Sequence, residues 1–179
     1  VTPLMAKRYP AEQFSQFTDA EMIARNYRLE KDALDRYALE SHRRAIEATK
    51  AGRFDSEIVP VAVRMADGTE TGEQHTVDEG IRFDASLESI AGVKLIAEGG
   101  RCTAATASQI CDGASGVMVV NERGLKTLGV KPLARVHHMS VIGHDPVIML
   151  EAPLPATQRA LKKAGMKIED IDLYEVNEA

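Results

Sequence analysis

The sequence predicts an α/β protein: a layered core with a helical, loop-rich insertion ahead of it. Three observations carry this expectation. From Gly99-Gly100 onward, short apolar runs alternate with short helical patterns, as in a sheet covered by helices. The first hundred or so residues instead hold helical and loop-rich patterns too extensive for a simple connection. Finally, 44% of the 179 residues are apolar at a net charge of −5, which fits a packed chain rather than a disordered one.

The elements follow in order. Residues 1–17 contain two prolines and no clear period. A helix is expected from Thr18, because Thr18 and Glu21 have capping-box spacing and Met22, Ile23 and Tyr27 can share an inner face. A second helix is expected over Glu30–Lys50. Leu34, Ala38, Ser41, Ala45 and Ala48 would form its inner stripe, with Gly52 just past its end. Residues 57–64 read as a strand that Pro60 pushes toward a sheet edge. Residues 65–80 are polar and read as an exposed excursion with a turn at Asp67-Gly68. A short helix is expected around Ser86–Ile90. Gly116–Val120 reads as a strand, and Asn121 caps a short helix ending near Gly129. Leu133–Ile142 reads as a further strand, Pro155–Ala164 as a helix stopped by Gly165, and Ile171–Val176 as a final strand.

Composition excludes several classes of function. Lys and Arg are scattered, which argues against a nucleic-acid partner. No apolar run approaches the roughly 20 residues of a membrane helix, and no signal-peptide pattern is visible. A cytoplasmic location fits. Cys102 and Cys111 read most simply as buried, reduced thiols, with reactive or paired thiols as the alternative. The chain starts at Val1 and stops at Ala179 directly after an expected strand, so a truncated or proteolysed segment is expected.

Three blocks could carry chemistry. The first six residues of Thr103–Ala114 are all Ala, Thr or Ser, and such small side chains let a ligand or another backbone approach closely. Asp112-Gly113 would make the tight turn into the next strand. The block reads also as a tightly packed helix–strand junction, and composition alone favours that over a ligand site. Asn177, at the end of the last strand, can satisfy loop backbone, hold a water or donate to a developing oxyanion. The adjacent His137 and His138 would point to opposite faces of a strand and cannot easily share a metal. His42, His75 and His144 have no ligand spacing either, so no metal is expected. Nucleophile-elbow, dinucleotide and P-loop signatures are absent from the sequence.

Taken in order, these blocks resemble the thiolases. The likeness begins at Ala20-Glu21-Met22-Ile23-Ala24 and runs through Asp35-Arg36-Tyr37-Ala38-Leu39-Glu40-Ser41-His42 to Ala51-Gly52-Arg53-Phe54-Asp55-Ser56-Glu57-Ile58-Val59-Pro60. It continues with Thr103–Ala114 and Pro153-Leu154-Pro155-Ala156. It ends on Glu175-Val176-Asn177-Glu178-Ala179, the start of the family's Asn-Glu-Ala-Phe motif. The stretch His137-His138-Met139-Ser140 is most similar to thiolases of fatty or steroid side-chain acyl-CoA. The His-Met-Gly stretch of some short-chain members is replaced by Ser15-Gln16-Phe17, which favours a bulkier acyl chain.

The resemblance implies a layered α-β-α core, here only in part, with a helical loop-domain insertion: 1–102 as most of a loop (lid) domain, 103–130 as the end of the N-terminal half and 131–179 as the start of the C-terminal half. It implies ping-pong acyl transfer through a cysteine thiolate, a second proton-moving cysteine, a Gly-His-Pro histidine and two oxyanion holes. By the same resemblance Asn177 anchors a water in one oxyanion hole, Ser108 contacts the pantetheine arm, Ala104 lines that tunnel and Lys94 lies near the CoA adenine. Acyl-CoA and CoA are the expected ligands, CoA as substrate rather than cofactor, and a homodimer or homotetramer is the expected assembly. The nucleophilic Cys is expected upstream of residue 1. The Gly-His-Pro histidine and second Cys are expected downstream of Ala179. Cys102, Cys111 and Gly143-His144-Asp145-Pro146 do not match those contexts, so the segment alone is expected to be inactive and poorly soluble. The alternatives are a non-catalytic thiolase-like acyl-CoA-binding or interaction protein, and an unrelated α/β structural domain. Flanking sequence separates the first alternative from an enzyme.

Overall fold

The computed structural model describes residues 2–10, 12 and 14–177. They form two compact units, one of residues 1–27 with 112–178 and one of residues 28–111.

The first unit opens with α1, Pro3–Arg8, in the stretch where no period was visible. Its start is nevertheless written locally: the Thr2 hydroxyl accepts from Met5 N and Pro3 occupies the first turn, where a missing N–H costs nothing. Helix α2 spans Gln16–Asn26 rather than starting at Thr18. Asp19 N donates to Ser15 O at 3.0 Å, so Ser15 begins the helix and Thr18 lies inside it, unable to act as its cap. The expected helices around 122 and 155 form. The first spans Glu122–Leu128, with Asn121 Oδ1 accepting from Gly124 N at 2.9 Å and Gly129 at φ 63°. The second spans Pro153–Ala164, ending on Gly165 at φ 67°. These two helices are α5 and α6, because α3, Lys31–Lys50, and α4, Leu87–Ala91, of the second unit precede them in the chain. A 3-10 turn, Met149–Glu151, precedes α6 and packs on both α2 and α6.

In the second unit, α3 runs Lys31–Lys50. It closes as a Schellman motif, with Arg53 N on Ala48 O and Gly52 N on Thr49 O, both at 3.0 Å, and Gly52 at φ 66°. The inner stripe differs from the expected one at Ser41, which is exposed. Ala38 is buried as expected, Asp35 is buried beside it, and Lys31 Nζ sits 2.6 Å from Asp35 Oδ2. An opposite charge one turn away is what lets a carboxylate occupy that face. Strand β1 is Val61–Arg64, starting just past Pro60. It pairs antiparallel with β2, Glu70–His75, across a turn that places Gly68 at φ 87°. The stretch expected to be a loose excursion is therefore partly strand. A polar strand with both faces exposed carries no alternation that would reveal it. Helix α4, Leu87–Ala91, forms where expected, with reciprocal Ser86 and Ser89 caps.

Three expected strands do not form ladders. Residues 116–120, 133–142 and 171–176 are without regular structure, and most of their apolar side chains are exposed, Val117, Val141 and Leu173 each at 89%, with Ile142 and Ile171 half-buried. A strand exists only where a neighbour takes its N–H and C=O groups, and no such neighbour for these segments occurs among the described residues. Without that pairing Asp112-Gly113 also makes no turn. Cys102 is half-buried and Cys111 exposed, so the expectation of two buried thiols fails at Cys111. The buried apolar side chains among the described residues are Ala24, Ala38 and Ile90, outnumbered by buried Asp19, Glu21, Asp35 and Thr103. No helix of the structure is long and apolar enough to cross a membrane among the described residues.

Candidate functional site

In the second unit, the small-residue block starts on a fully buried threonine. Thr103 N donates to Thr106 Oγ1 at 3.0 Å, Thr106 Oγ1 donates to Thr103 O at 3.2 Å, and Ala105 N donates to Thr103 Oγ1 at 3.2 Å. These bonds wind Ala104–Thr106 into a 3-10 turn. Side-chain hydroxyls thus take up backbone groups that would otherwise compete with a ligand. Leu95 and Thr103 form an isolated antiparallel bridge, continued by Ile96 N on Cys102 O at 3.0 Å. Lys94 and Ala104 stand across from each other at the same end of that bridge and are both exposed. Ser108 is also exposed and lies four residues past Ala104. The adjacent Gln109 is fixed by its Nε2, which donates to Gly80 O at 2.6 Å. The structure therefore brings Lys94 and Ala104 together, with Ser108 one short step along the same strip.

Asn177 belongs to the first unit and is exposed at the end of the stretch that follows the Ile168–Asp170 turn. That turn is pinned by Lys167 N on Asp170 Oδ2 at 2.8 Å and by the Tyr174 hydroxyl, which donates to Ile168 O at 2.8 Å.

A polar cluster that the sequence did not reveal also lies in the first unit. The side chain of Asp19 is fully buried, and its Oδ2 accepts from Leu150 N at 3.1 Å. Two turns along α2, the Tyr27 hydroxyl donates to Glu151 Oε1 at 2.7 Å. The other oxygen of Glu151 lies 3.0 Å from His144 Nε2. The Tyr27 hydroxyl, and after it His144, hold the Glu151 carboxyl below its ordinary range, while Glu151 pushes the Tyr27 phenol up. The only local trace is the spacing of Asp19, Ile23 and Tyr27, which share one helix face. Their partners are more than 120 residues away in sequence, so no pattern could announce them. Among the described residues no group of three or more His, Cys, Asp or Glu side chains could hold a metal ion.

The fold is that of part of a thiolase. The structure superimposes on the acetyl-CoA acetyltransferase of Bacillus anthracis with a TM-score of 0.81 at 34% identity, over 92% of this chain and 41% of that one. It matches human mitochondrial 3-ketoacyl-CoA thiolase in complex with CoA with a TM-score of 0.79 at 36% identity, over 90% and 40%. Residues 11–123 match the thiolase N-terminal domain and residues 130–179 the thiolase C-terminal domain, and the chain belongs to the thiolase family. Among its relatives, the steroid 3-ketoacyl-CoA thiolase FadA6 of Mycobacterium tuberculosis is 48% identical over 172 residues, 96% of this chain and 40% of that protein. A 3-ketoacyl-CoA thiolase of Psychrobacter sp. is 41% identical over 181 residues, 100% of this chain and 46% of that protein. The chain thus spans less than half the length of these relatives.

Proposed function

We propose that the protein is an acyl-CoA acyltransferase that cleaves 3-ketoacyl-CoA with CoA, or runs the reverse Claisen condensation. The observation that carries this is the ordered match to both thiolase domains, together with 48% identity to a steroid 3-ketoacyl-CoA thiolase. In this reading a cysteine thiolate attacks the ketone carbonyl, the bond between the α and β carbons breaks, and the departing acetyl-CoA enolate takes a proton. The thiol of a second CoA then attacks the acyl-enzyme and releases the shortened acyl-CoA with the cysteine as thiolate.

The residues take the following roles. Asn177 holds a water against one developing oxyanion, a use its exposed position beyond the Ile168–Asp170 turn leaves open. Ser108 and Ala104 border the pantetheine arm, where small residues admit close approach, and Lys94 meets the adenine end of CoA. Residues 1–102 act as lid, 103–130 complete the N-terminal half and 131–179 open the C-terminal half. The nucleophilic cysteine, the Gly-His-Pro histidine and the second cysteine lie outside residues 1–179, so this segment alone is inactive. The protein is cytoplasmic, works as a homodimer or homotetramer and needs no metal or other cofactor. A bulky acyl group, such as a steroid side chain, is the preferred substrate.

The test is CoA-dependent cleavage of a long-chain and a short-chain 3-ketoacyl-CoA by the protein expressed from its own gene. The expected products are acetyl-CoA and the acyl-CoA two carbons shorter, with the longer substrate favoured. Tight acyl-CoA binding without turnover would replace this reading with that of a non-catalytic binding protein.

A further inference from the structure

We propose that Glu151 is a positioning residue, a polar latch that fastens α2 to the turn from which α6 starts. This rests on the thiolase reading only for its effect on catalysis; the latch itself rests on geometry.

Glu151 is the one side chain of the 3-10 turn with both oxygens engaged. Oε1 takes the Tyr27 hydroxyl at 2.7 Å and Oε2 lies 3.0 Å from His144 Nε2. The first contact ties the turn to α2, and the second closes the loop 144–151 on itself. The loop is stiffened within this ring, because Asp145 Oδ1 accepts from Val147 N at 2.7 Å. Eight residues before Tyr27 on the same helix face, buried Asp19 takes Leu150 N at 3.1 Å. Two consecutive residues of the turn are therefore held at two points of one helix, which fixes the rotation of the turn as well as its distance. From there the chain runs straight into α6, through Ala152 N on Met149 O at 3.1 Å and Ala156 N on Ala152 O at 3.1 Å. Helix α2 lies in the span matching the thiolase N-terminal domain, and the turn and α6 lie in the span matching the C-terminal domain. Glu151 thus joins the two family domains within one compact unit. Its consequence passes down α6 to the stretch that ends on Asn177.

The chemistry of the latch distinguishes two replacements. Glu151→Ala removes both contacts. Glu151→Gln keeps them in neutral form: its carbonyl oxygen accepts from Tyr27, and its amide donates to an unprotonated His144 ring nitrogen. Tyr27→Phe removes only the tie to α2 and is the milder variant if Glu151→Ala does not fold.

The experiment combines hydrogen exchange over residues 144–152 with steady-state kinetics of 3-ketoacyl-CoA cleavage, using the protein expressed from its own gene. Glu151→Ala and Tyr27→Phe should speed exchange in this segment. Each should lower kcat while leaving KM nearly unchanged, with Glu151→Ala losing about tenfold or more, as for a misplacement on the order of 1 Å. Glu151→Gln should restore both readouts most of the way. Unchanged exchange in Tyr27→Phe and Glu151→Ala would overturn the latch. Faster exchange with unaltered kcat would overturn its positioning role. A parent protein without thiolase activity would instead refute the functional reading, and the exchange measurement would still decide the latch.

Discussion

Replacing Asp19 with Ala isolates one buried hydrogen bond whose strength the geometry sets. Asp19 is fully buried in the first turn of α2, and its Oδ2 is the acceptor for Leu150 N at 3.1 Å. A hydrogen bond to a charged acceptor contributes about 1.5–3 kcal/mol, and its loss leaves a buried N–H unpaired. Against that, Asp19 Oδ1 is buried without a hydrogen-bond partner among the described residues, a desolvation cost that the substitution relieves. The difference should be a net loss of about 2 kcal/mol, which corresponds to roughly a 25-fold change in a local opening equilibrium. Hydrogen exchange at the Leu150 amide reads that equilibrium directly, and urea unfolding reads its share of global stability. Asp19→Asn retains an acceptor for Leu150 and should cost less than about 1 kcal/mol, the difference being the lost charge assistance. Equal effects for the two variants, or an unchanged Leu150 exchange rate in Asp19→Ala, would refute the reasoning.

Other consequences can be checked one residue at a time. Gly52→Ala should destabilise more than Gly165→Ala. Both sit at positive φ, a strain of about 1–2 kcal/mol, but a Cβ at Gly52 would lie 2.8 Å from Asp55 Oδ2 while one at Gly165 meets nothing within 4 Å. Paired unfolding curves would show this. Lys31→Met should cost about 2 kcal/mol, because it strands the nearly buried Asp35 carboxylate and removes the donor to Ala91 O at 3.1 Å. Arg36→Ala, which breaks an exposed, solvent-screened pair at 2.9 Å, should leave the unfolding curve close to that of the parent in the same assay. The Glu151 carboxyl is held below its ordinary value of 4.5, so the folded state favours its ionised form. Its contribution is complete above that value and fades as pH falls through the lowered one. Exchange protection of residues 144–152 should therefore weaken only in acid, and Tyr27→Phe, which removes the largest cause, should move the loss to higher pH.

How much was legible follows from where each signal resides. Helices were legible because caps and stops are local: Asn121, Gly129, Gly165 and the Ser86–Ser89 pair each act within a few residues of where they stand. The fully polar β2 carried no alternation, and α1 is too short to show a period. The three apolar runs at 116–120, 133–142 and 171–176 were legible as strand-like in composition, yet a strand is a relation between segments, and no partner for them occurs among the described residues. The small-residue strip around Ala104 and Ser108 stood out because composition marks it. The Asp19–Leu150 and Tyr27–Glu151 contacts did not, because they join residues far apart in sequence through geometry alone.

The central claim is that this chain serves a ping-pong acyl transfer whose nucleophile lies outside residues 1–179. It is tested most directly by exposing the protein expressed from its own gene to an acyl-CoA, quenching, digesting, and mapping the acylated peptide by mass spectrometry. The account predicts a single acyl thioester on a cysteine outside these residues, discharged when CoA is added. An acyl group on Cys102 or Cys111, or no covalent acyl-enzyme during turnover, would contradict it.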